Sequence, residues 1–426
     1  MSRIVSVDSL SNEELNKISD ELMVQKEESK YSFSSSPEFI TLYELKGNQL
    51  TVPFSYNRNF PRRERKEFPV SDIKFVGELR PNQKEVKKEA ITILNNTGAV
   101  IIACATGYGK TITSINIASK IGLKTLAISH RIVLINQWKQ AFERFCPEST
   151  CQILTTKTKK KNCDFYIMNA SNISKRDISD YDDIGCVIVD ECHIIMAEKL
   201  SESLRYLNPR YLIGLSATPY RSDGLNVLID MYFGKNKIIR KLWRKHTVYK
   251  VDTGFVPEVK QNKMGKVDWC SVIDSTCNNE DRNEIIINIV KKFKDNVFLI
   301  LCKRVSQAQY LEKRLKEENE DTTSLIGKNQ DYEQKSRILV GTVGKCSVGF
   351  DHPRLNALIL ASDVEQYFVQ YLGRVFRRED TIPIIFDLVD DFPLLYKHFR
   401  TRCGVYKEHG GICKNFLTEF PEFKRD

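Results

Sequence analysis

A short apolar run at 99–103 opens onto Cys-Ala-Thr-Gly-Tyr-Gly-Lys-Thr, from Cys104 to Thr111, and further along Val187-Ile-Val189 leads into Asp190-Glu-Cys-His193. A loop of glycine and small residues between a buried strand and a helix turns backbone N–H groups outward at the helix N-terminus, where they can cradle triphosphate oxygens. In such a loop Thr106, Gly107, Tyr108 and Gly109 form the cradle, Lys110 reaches the β- and γ-phosphates, and the Thr111 hydroxyl holds Mg2+. The second strand delivers Asp190 to the same metal and Glu191 to the attacking water. The chemistry implied is hydrolysis of ATP, with ATP and Mg2+ as cofactors. Cys104 stands where the strict pattern G-x-x-x-x-G-K-[ST] has its first glycine, so the loop alone would also suit a structural strand-to-helix turn. The Asp-Glu pair decides against that reading.

The apolar pattern says which elements must carry these residues. Between residues 79 and 221, β-rich runs at 99–103, 125–128, 165–168, 186–189 and 211–215 alternate with helical patterns, which predicts a doubly wound parallel sheet. The alternation stops, then resumes with runs at 297–301, 338–340, 357–361 and 384–386 and a helical stretch at 306–318. The predicted fold class is α/β, with two tandem doubly wound parallel-sheet domains and a small N-terminal accessory domain. Two such domains place a ligand crevice at the carboxyl ends of their sheets. The stretch 224–284 mixes charged, Asn and Gly residues and reads as a hinge with a small insertion. Residues 1–38 are Ser- and Glu-rich, with a short amphipathic helix predicted at 15–23. Phe39-Ile-Thr-Leu-Tyr43 and Gln49-Leu-Thr-Val-Pro53 flank Lys46-Gly-Asn48 as a β-hairpin. The predicted domains are 1–75 (accessory, with the hairpin), 76–228 (ATP-binding) and 229–426 (linker, insertion and second α/β domain).

With 426 residues the chain is long enough for two full domains and a small third. No apolar run approaches the roughly 18 residues that a bilayer span needs. The start, Met1-Ser-Arg-Ile-Val-Ser, lacks the apolar core of a signal peptide, so an intracellular protein is expected. Twelve cysteines sit singly, several in apolar runs (Cys186, Cys302) or within the motifs (Cys104, Cys192), which suits a reducing compartment. The net charge of +10 gathers in runs such as Arg62-Arg-Glu-Arg-Lys66, Lys157-Thr-Lys-Lys-Lys161 and Arg240-Lys-Leu-Trp-Arg-Lys245. Beside an ATPase motif these read as a track for a phosphate backbone, with Arg62 and Arg63 on the accessory element. His398, Cys403, His409 and Cys413 have no finger-like spacing and no C-x-x-C pair, so zinc is discounted. The segment reads instead as a helix whose aromatic stripe, Phe392, Tyr396, Phe399 and Tyr406, packs onto the second domain.

Gln370, Arg374 and Arg377 recur at three- and four-residue spacing, which on one helix would put them on one face. Planar guanidinium groups bind phosphate oxygens bidentately and stabilise charge during phosphoryl transfer, so Arg374 and Arg377 are candidates for an arginine finger. The ordered series Leu79-Arg-Pro-Asn-Gln83, Ala105-Thr-Gly-Tyr-Gly-Lys-Thr111, Asp190-Glu-Cys-His193, Ser216-Ala-Thr-Pro219, Gly349-Phe-Asp351 and Gln370-Tyr-Leu-Gly-Arg-Val-Phe-Arg377 resembles a superfamily 2 helicase. Within that superfamily it is most similar to the XPB-like and phage branch-migration-like group, and to the small helicases of large cytoplasmic DNA viruses, the poxvirus transcript-release type among them.

The resemblance implies two RecA-like domains and assigns further roles. Gln83 would read the adenine edge with Arg80 nearby, and Gly349 and Asp351 would approach the ribose. His193 would couple the ATP site to Ser216, Ala217 and Thr218. Nucleic-acid contacts would fall on His130, Arg131, Thr155, Thr156, Lys303, Arg304 and Thr342. The activity implied is ATP- and Mg2+-dependent movement on DNA (single-stranded, duplex or branched) with 3′ to 5′ polarity, in transcript release or in repair and recombination. RNA–DNA hybrids and transcription-complex proteins are further expected partners of a monomeric protein in the host cytoplasm or virion. Two alternatives stay open at this point: an RNA helicase, and a non-enzymatic helicase-like scaffold.

Overall fold

Strands covered on both faces read as unbroken apolar runs, and the strand Ala99-Val-Ile-Ile-Ala-Cys104 is buried along its whole length. The computed structural model describes residues 2–25, 39–56, 67–105, 107–195, 204–217, 226–262, 265–327, 332–346, 350, 352–364, 368–378 and 380–423. The chain divides into two compact units, Met1–Arg240 and Lys241–Asp426.

The first unit opens with β1 (Ser2–Ser6), α1 (Asn12–Glu21), β2 (Met23–Gln25), β3 (Phe39–Thr41), β4 (Glu44–Lys46) and β5 (Gln49–Pro53). Then follow α2 (Pro81–Thr97), β6 (Ala99–Cys104), α3 (Lys110–Ile121), β7 (Thr125–Ser129), α4 (Ile132–Phe145), β8 (Cys151–Leu154), β9 (Phe165–Asn169), β10 (Cys186–Val189), α5 (Cys192–Ile195), β11 (Tyr211–Ser216) and β12 (Lys237–Arg240). β6 to β12 form one seven-stranded sheet, in the order β12-β6-β11-β10-β7-β9-β8, and every pairing is parallel. Its two faces bury separate apolar layers, with Ile101, Leu126 and Val187 in one and Ile102, Ala127 and Ile188 in the other. α2 starts on Pro81, where a missing N–H costs nothing, and ends at Gly98 in the left-handed conformation.

The accessory region differs from expectation in two ways. The hairpin pairs Gln49–Pro53 with Glu44–Lys46, and β1 flanks β5 on the other side. Phe39–Thr41 instead pairs with Met23–Gln25. Moreover Ile18, Leu22, Ile40, Leu50 and Val52 lie in the same buried layer as Ile101 and Val187, so the described residues of 2–56 share the core of the first sheet.

The second unit holds β13 (His246–Asp252), β14 (Phe298–Cys302), β15 (Thr322–Leu325), β16 (Ile338–Thr342), β17 (Ala357–Leu360), β18 (Ile384–Val389) and β19 (Gly411–Asn415). They form a second seven-stranded sheet, β15-β16-β14-β17-β18-β13-β19, again parallel throughout. The described residues of the segment read as hinge and insertion are therefore structured. It contains the helix Asn226–Phe233, then β12 of the first sheet, β13 inside the second sheet, and the helix Trp269–Asn278. The first unit runs on to Arg240 because β12 pairs with β6, and residues 229–240 thus belong with what precedes them. β13 escapes an apolar-run search because it is half-buried, with Thr247, Lys250 and Asp252 interleaved among Val248, Tyr249 and Val251.

Candidate functional site

In a parallel sheet all carboxyl ends lie along one edge, so the residues following β6, β10 and β11 meet there. Gly107 (φ 83) and Gly109 (φ 88) both take the left-handed conformation. At Gly109 a Cβ would come within 2.3 Å of Gln83 Nε2, so a side chain there would both strain a left-handed backbone and push the Gln83 amide off Tyr108 O. α3 begins at Lys110 with no side chain capping Gly109, which leaves its first N–H groups and the positive end of its dipole for an anion. Lys110 Nζ donates to Cys104 O at 2.8 Å. Thr111 is the second residue of α3; Thr106 lies outside the described residues.

The Gln83 amide is engaged at both ends. Its Oε1 accepts from Arg80 N at 2.9 Å and its Nε2 donates to Tyr108 O at 3.0 Å, while an Arg80 Nη2 donates to the same carbonyl at 2.6 Å. Tyr108 OH returns a bond to Asn82 O at 2.9 Å. The Leu79-Arg-Pro-Asn-Gln83 segment thus holds the glycine loop in shape through the Tyr108 carbonyl, while Tyr108 N closes the loop on itself by donating to Ala105 O at 3.2 Å.

Asp190 follows β10 and is 7 % exposed. Burial, then the neighbouring Glu191 charge, push its carboxyl above the usual carboxylate range. Its Oδ2 accepts from Trp138 Nε1 at 2.9 Å and its Oδ1 from Glu191 N at 3.1 Å. Trp138 was not among the expected site residues. The signal was there: a buried Trp must find an acceptor for its N–H. Glu191 sits at φ 49, a conformation that non-glycine residues seldom adopt, and its Oε2 takes no hydrogen bond among the described residues. His193 Nδ1 is 3.5 Å from that oxygen and 2.9 Å from Ser216 Oγ, so one imidazole touches both the Asp-Glu turn and the end of β11. Ala217 follows directly; Thr218 lies outside the described residues.

In the second unit the helix Phe368–Val375 carries Gln370 and Arg374 but stops before Arg377. The expectation of one shared helix face is corrected: Arg377 stands on the turn beyond the helix. Arg374 Nη1 donates to Phe350 O at 2.9 Å, with its guanidinium 4.9 Å from the Phe350 ring centre. Gly349 and Asp351 lie outside the described residues. The segment after β17 is clamped from the helix Pro393–Glu408. Arg402, 3 % exposed, pairs with Asp387 at 2.8 Å and with Asp363, and Tyr406 OH donates to Asp387 at 2.9 Å. His398 Nδ1 lies 2.8 Å from Asp363, and Cys403 Sγ is 3.0 Å from Cys413 Sγ. The aromatic stripe packs as described, with Tyr406 buried and Tyr396 and Phe399 flanking Lys250.

The nucleic-acid candidates lie at the same edges of their own sheets. His130 and Arg131 follow β7, and burial, then the charges of Arg131 and His193, lower the His130 pKa to about 4. His130 is therefore neutral at pH 7. Thr155 follows β8, its N donating to Thr158 Oγ1 at 2.8 Å and its Oγ1 accepting from Thr158 N at 3.2 Å, in a turn braced by Arg176; Thr156 is exposed. Lys303 N donates to Ser362 Oγ at 3.1 Å, Arg304 pairs with Asp274 at 2.6 Å, and Thr342 ends β16. Arg62 and Arg63 lie outside the described residues.

Residues 77–221 match the family model described as the type III restriction enzyme, res subunit. The chain is 43% identical over 414 residues to "Putative helicase 161L" of Invertebrate iridescent virus 6, covering 90% of this chain and 93% of that protein. This chain belongs to the superfamily 2 helicases of large DNA viruses. It is also 24% identical over 348 residues to transcript termination protein A18 of Vaccinia virus (strain Ankara), covering 71% of this chain and 69% of that protein. The structure of S. cerevisiae Dbp5 bound to RNA and ADP BeF3 superposes on the helicase with a TM-score of 0.54 and 14% identity, covering 81% of this chain and 96% of that one. The two sheets are thus a tandem RecA-like core, and the helicase is an ATP hydrolase. Among the described residues, no helix is long and apolar enough to cross a membrane.

Proposed function

We propose that this helicase is an ATP- and Mg2+-dependent DNA translocase, moving 3′ to 5′, that acts in transcript release or in DNA repair. The observation that carries the reading is the first-unit edge: two left-handed glycines ahead of an uncapped helix start, with the buried Asp190 and the hydrogen-bond-ready Glu191 Oε2 beside it. Backbone N–H groups of α3 and Lys110 bind the β- and γ-phosphates, exchanging the Cys104 carbonyl for a phosphate oxygen. Thr111 and Asp190 would hold Mg2+, which supplies charge neutralisation on the phosphates when bound. Glu191 orients the attacking water and accepts its proton. Arg377 would meet the negative charge of the transferred phosphoryl group, with Gln370 and Arg374 as the further catalytic candidates on the helix before it. His193 relays the state of Glu191 to Ser216.

Support for DNA comes from the Leu79-Arg-Pro-Asn-Gln83 and Gln370-x-x-Gly-Arg374-x-x-Arg377 forms and from the excess of basic residues. The likeness to a vaccinia transcript termination protein supports the transcription role. The test is steady-state ATPase activity alone and with single-stranded DNA, double-stranded DNA and RNA. Stimulation by DNA above RNA is expected. Stimulation by RNA alone makes the chain an RNA helicase, and no hydrolysis under any condition makes it a scaffold.

A further inference from the structure

Arg377 stands on the turn beyond the helix Phe368–Val375, and the backbone on both sides of that turn is held from outside it. The residue that brackets it is Arg244, four residues beyond the end of β12. Its Nη1 donates to Phe376 O at 2.6 Å and its Nη2 to Thr381 O at 2.7 Å. The Phe376 carbonyl belongs to the same planar peptide group as the Arg377 N–H. Holding that oxygen therefore holds the plane from which the Arg377 side chain departs.

Arg244 is itself pinned. Its N donates to His409 O at 2.9 Å, and its carbonyl accepts from His246 Nδ1 at 2.7 Å. The fully buried His246 ring lies 4.7 Å from the Phe376 ring, so side chain and backbone of this segment grip the same turn. Gly410 makes the approach possible: at φ 89, a Cβ there would sit 2.6 Å from Arg244 O. On the far side of the turn Arg378 pairs with Asp380 at 2.5 Å, which keeps that carboxylate engaged.

We propose that Arg244 is a positioning residue for Arg377, and that the chain entering the second unit at Lys241 sets the direction of the finger through it. The inference rests on the reading of Arg377 as the transition-state cation. A planar fork is needed because the two carbonyls are five residues apart in the chain and must be bridged by one rigid group; a lysine ammonium could satisfy one at a time.

The experiment is ATPase kinetics on the full chain, with single-stranded DNA and RNA run in parallel at saturation, for Arg244→Ala, Arg244→Lys, Arg377→Ala and the double variant. Misplacing a catalytic group by about 1 Å costs roughly 100-fold, so Arg244→Ala is expected to lower stimulated kcat by about 10- to 100-fold with KM for ATP and ADP affinity unchanged. Arg244→Lys should restore the thermal midpoint but not kcat, and it carries the comparison if the alanine variant does not fold. Combined with Arg377→Ala, the Arg244 change should add no further loss. If Arg244→Ala keeps full kcat while Arg377→Ala loses it, the positioning inference falls and the finger reading stands. An equal Arg244 effect in both backgrounds also overturns the inference. If Arg377→Ala itself keeps stimulated turnover, the finger reading is what fails.

Discussion

In the first unit, the loop after β6 is restrained by side-chain donors on backbone carbonyls: Gln83 and Arg80 on Tyr108 O, Lys110 on Cys104 O. In the second, the segment after β17 is restrained by ion pairs, with the buried Arg402 bridging the partly buried Asp363 and the buried Asp387. The sheets share a parallel architecture, so the difference lies in what each edge must do. A loop that receives a triphosphate must keep its N–H groups clear and can carry no carboxylate brace, because a fixed anion would compete with the ligand. Carbonyl-directed bonds, worth about 1 kcal/mol each, hold the shape yet exchange readily. A segment that leads into an arginine-bearing helix has the opposite need. It is served by a clamp that is costly to open and plays no part in binding.

The largest expected effect tests the first unit alone. Glu191→Gln should cut ATP hydrolysis by about 10³-fold, within the range for loss of a general base, while nucleotide affinity measured with a fluorescent ATP analogue is retained. Near-normal turnover would mean that the hydrogen-bond-ready Oε2 has no catalytic use. Next in size is the ion clamp of the second unit. Arg402→Met leaves the fully buried Asp387 without its cation and should cost about 3–5 kcal/mol. Hydrogen exchange should then quicken in β18 and β17 but not in β6, and uniform loosening of both sheets would break the comparison.

Trp138→Phe keeps the ring against Phe165 but removes the N–H from Asp190. A lost bond to a charged acceptor should cost roughly 1.5–3 kcal/mol, and the Mg2+ concentration giving half-maximal activity should rise. Unchanged Mg2+ dependence would make Trp138 a packing residue only. The smallest effect concerns pH. His130 is held neutral down to about pH 4 in the folded chain, whereas the unfolded chain binds a proton near 6.5. Its neutral burial therefore stabilises fully above pH 6.5, and that contribution is lost as pH falls toward 4. His130→Asn should narrow the gap between thermal midpoints at pH 7.5 and pH 5.

The fold was legible wherever strands are buried on both faces, as at β6, β7, β9, β10, β14 and β17, because such strands leave unbroken apolar runs. It was illegible where strands are half-buried or lie at a sheet edge. β8 (Cys-Gln-Ile-Leu), β15 (Thr-Thr-Ser-Leu) and β19 (Gly-Ile-Cys-Lys-Asn) each mix polar residues into the run. The candidate site followed the same division. Lys110, Asp190 and Glu191 belong to short motifs whose chemistry is local. The contacts that orient such groups join residues far apart in the chain: Trp138 to Asp190 across 52 positions, Arg402 to Asp363 across 39, Arg244 to Phe376 across 132. Periodicity carries no trace of them. Gln83 was found by its motif, but its grip on Tyr108 O emerges only from the folded turn.

The left-handed backbone at Glu191 puts catalysis and durability in direct opposition. A non-glycine residue there bears about 1–3 kcal/mol of conformational cost, which a glycine would shed in exchange for roughly 0.5–1 kcal/mol of chain entropy. On the proposed role of Glu191, Glu191→Gly is thus expected to raise the thermal midpoint and abolish hydrolysis in the same change, so the backbone that strains the fold is the one that carries the proposed base.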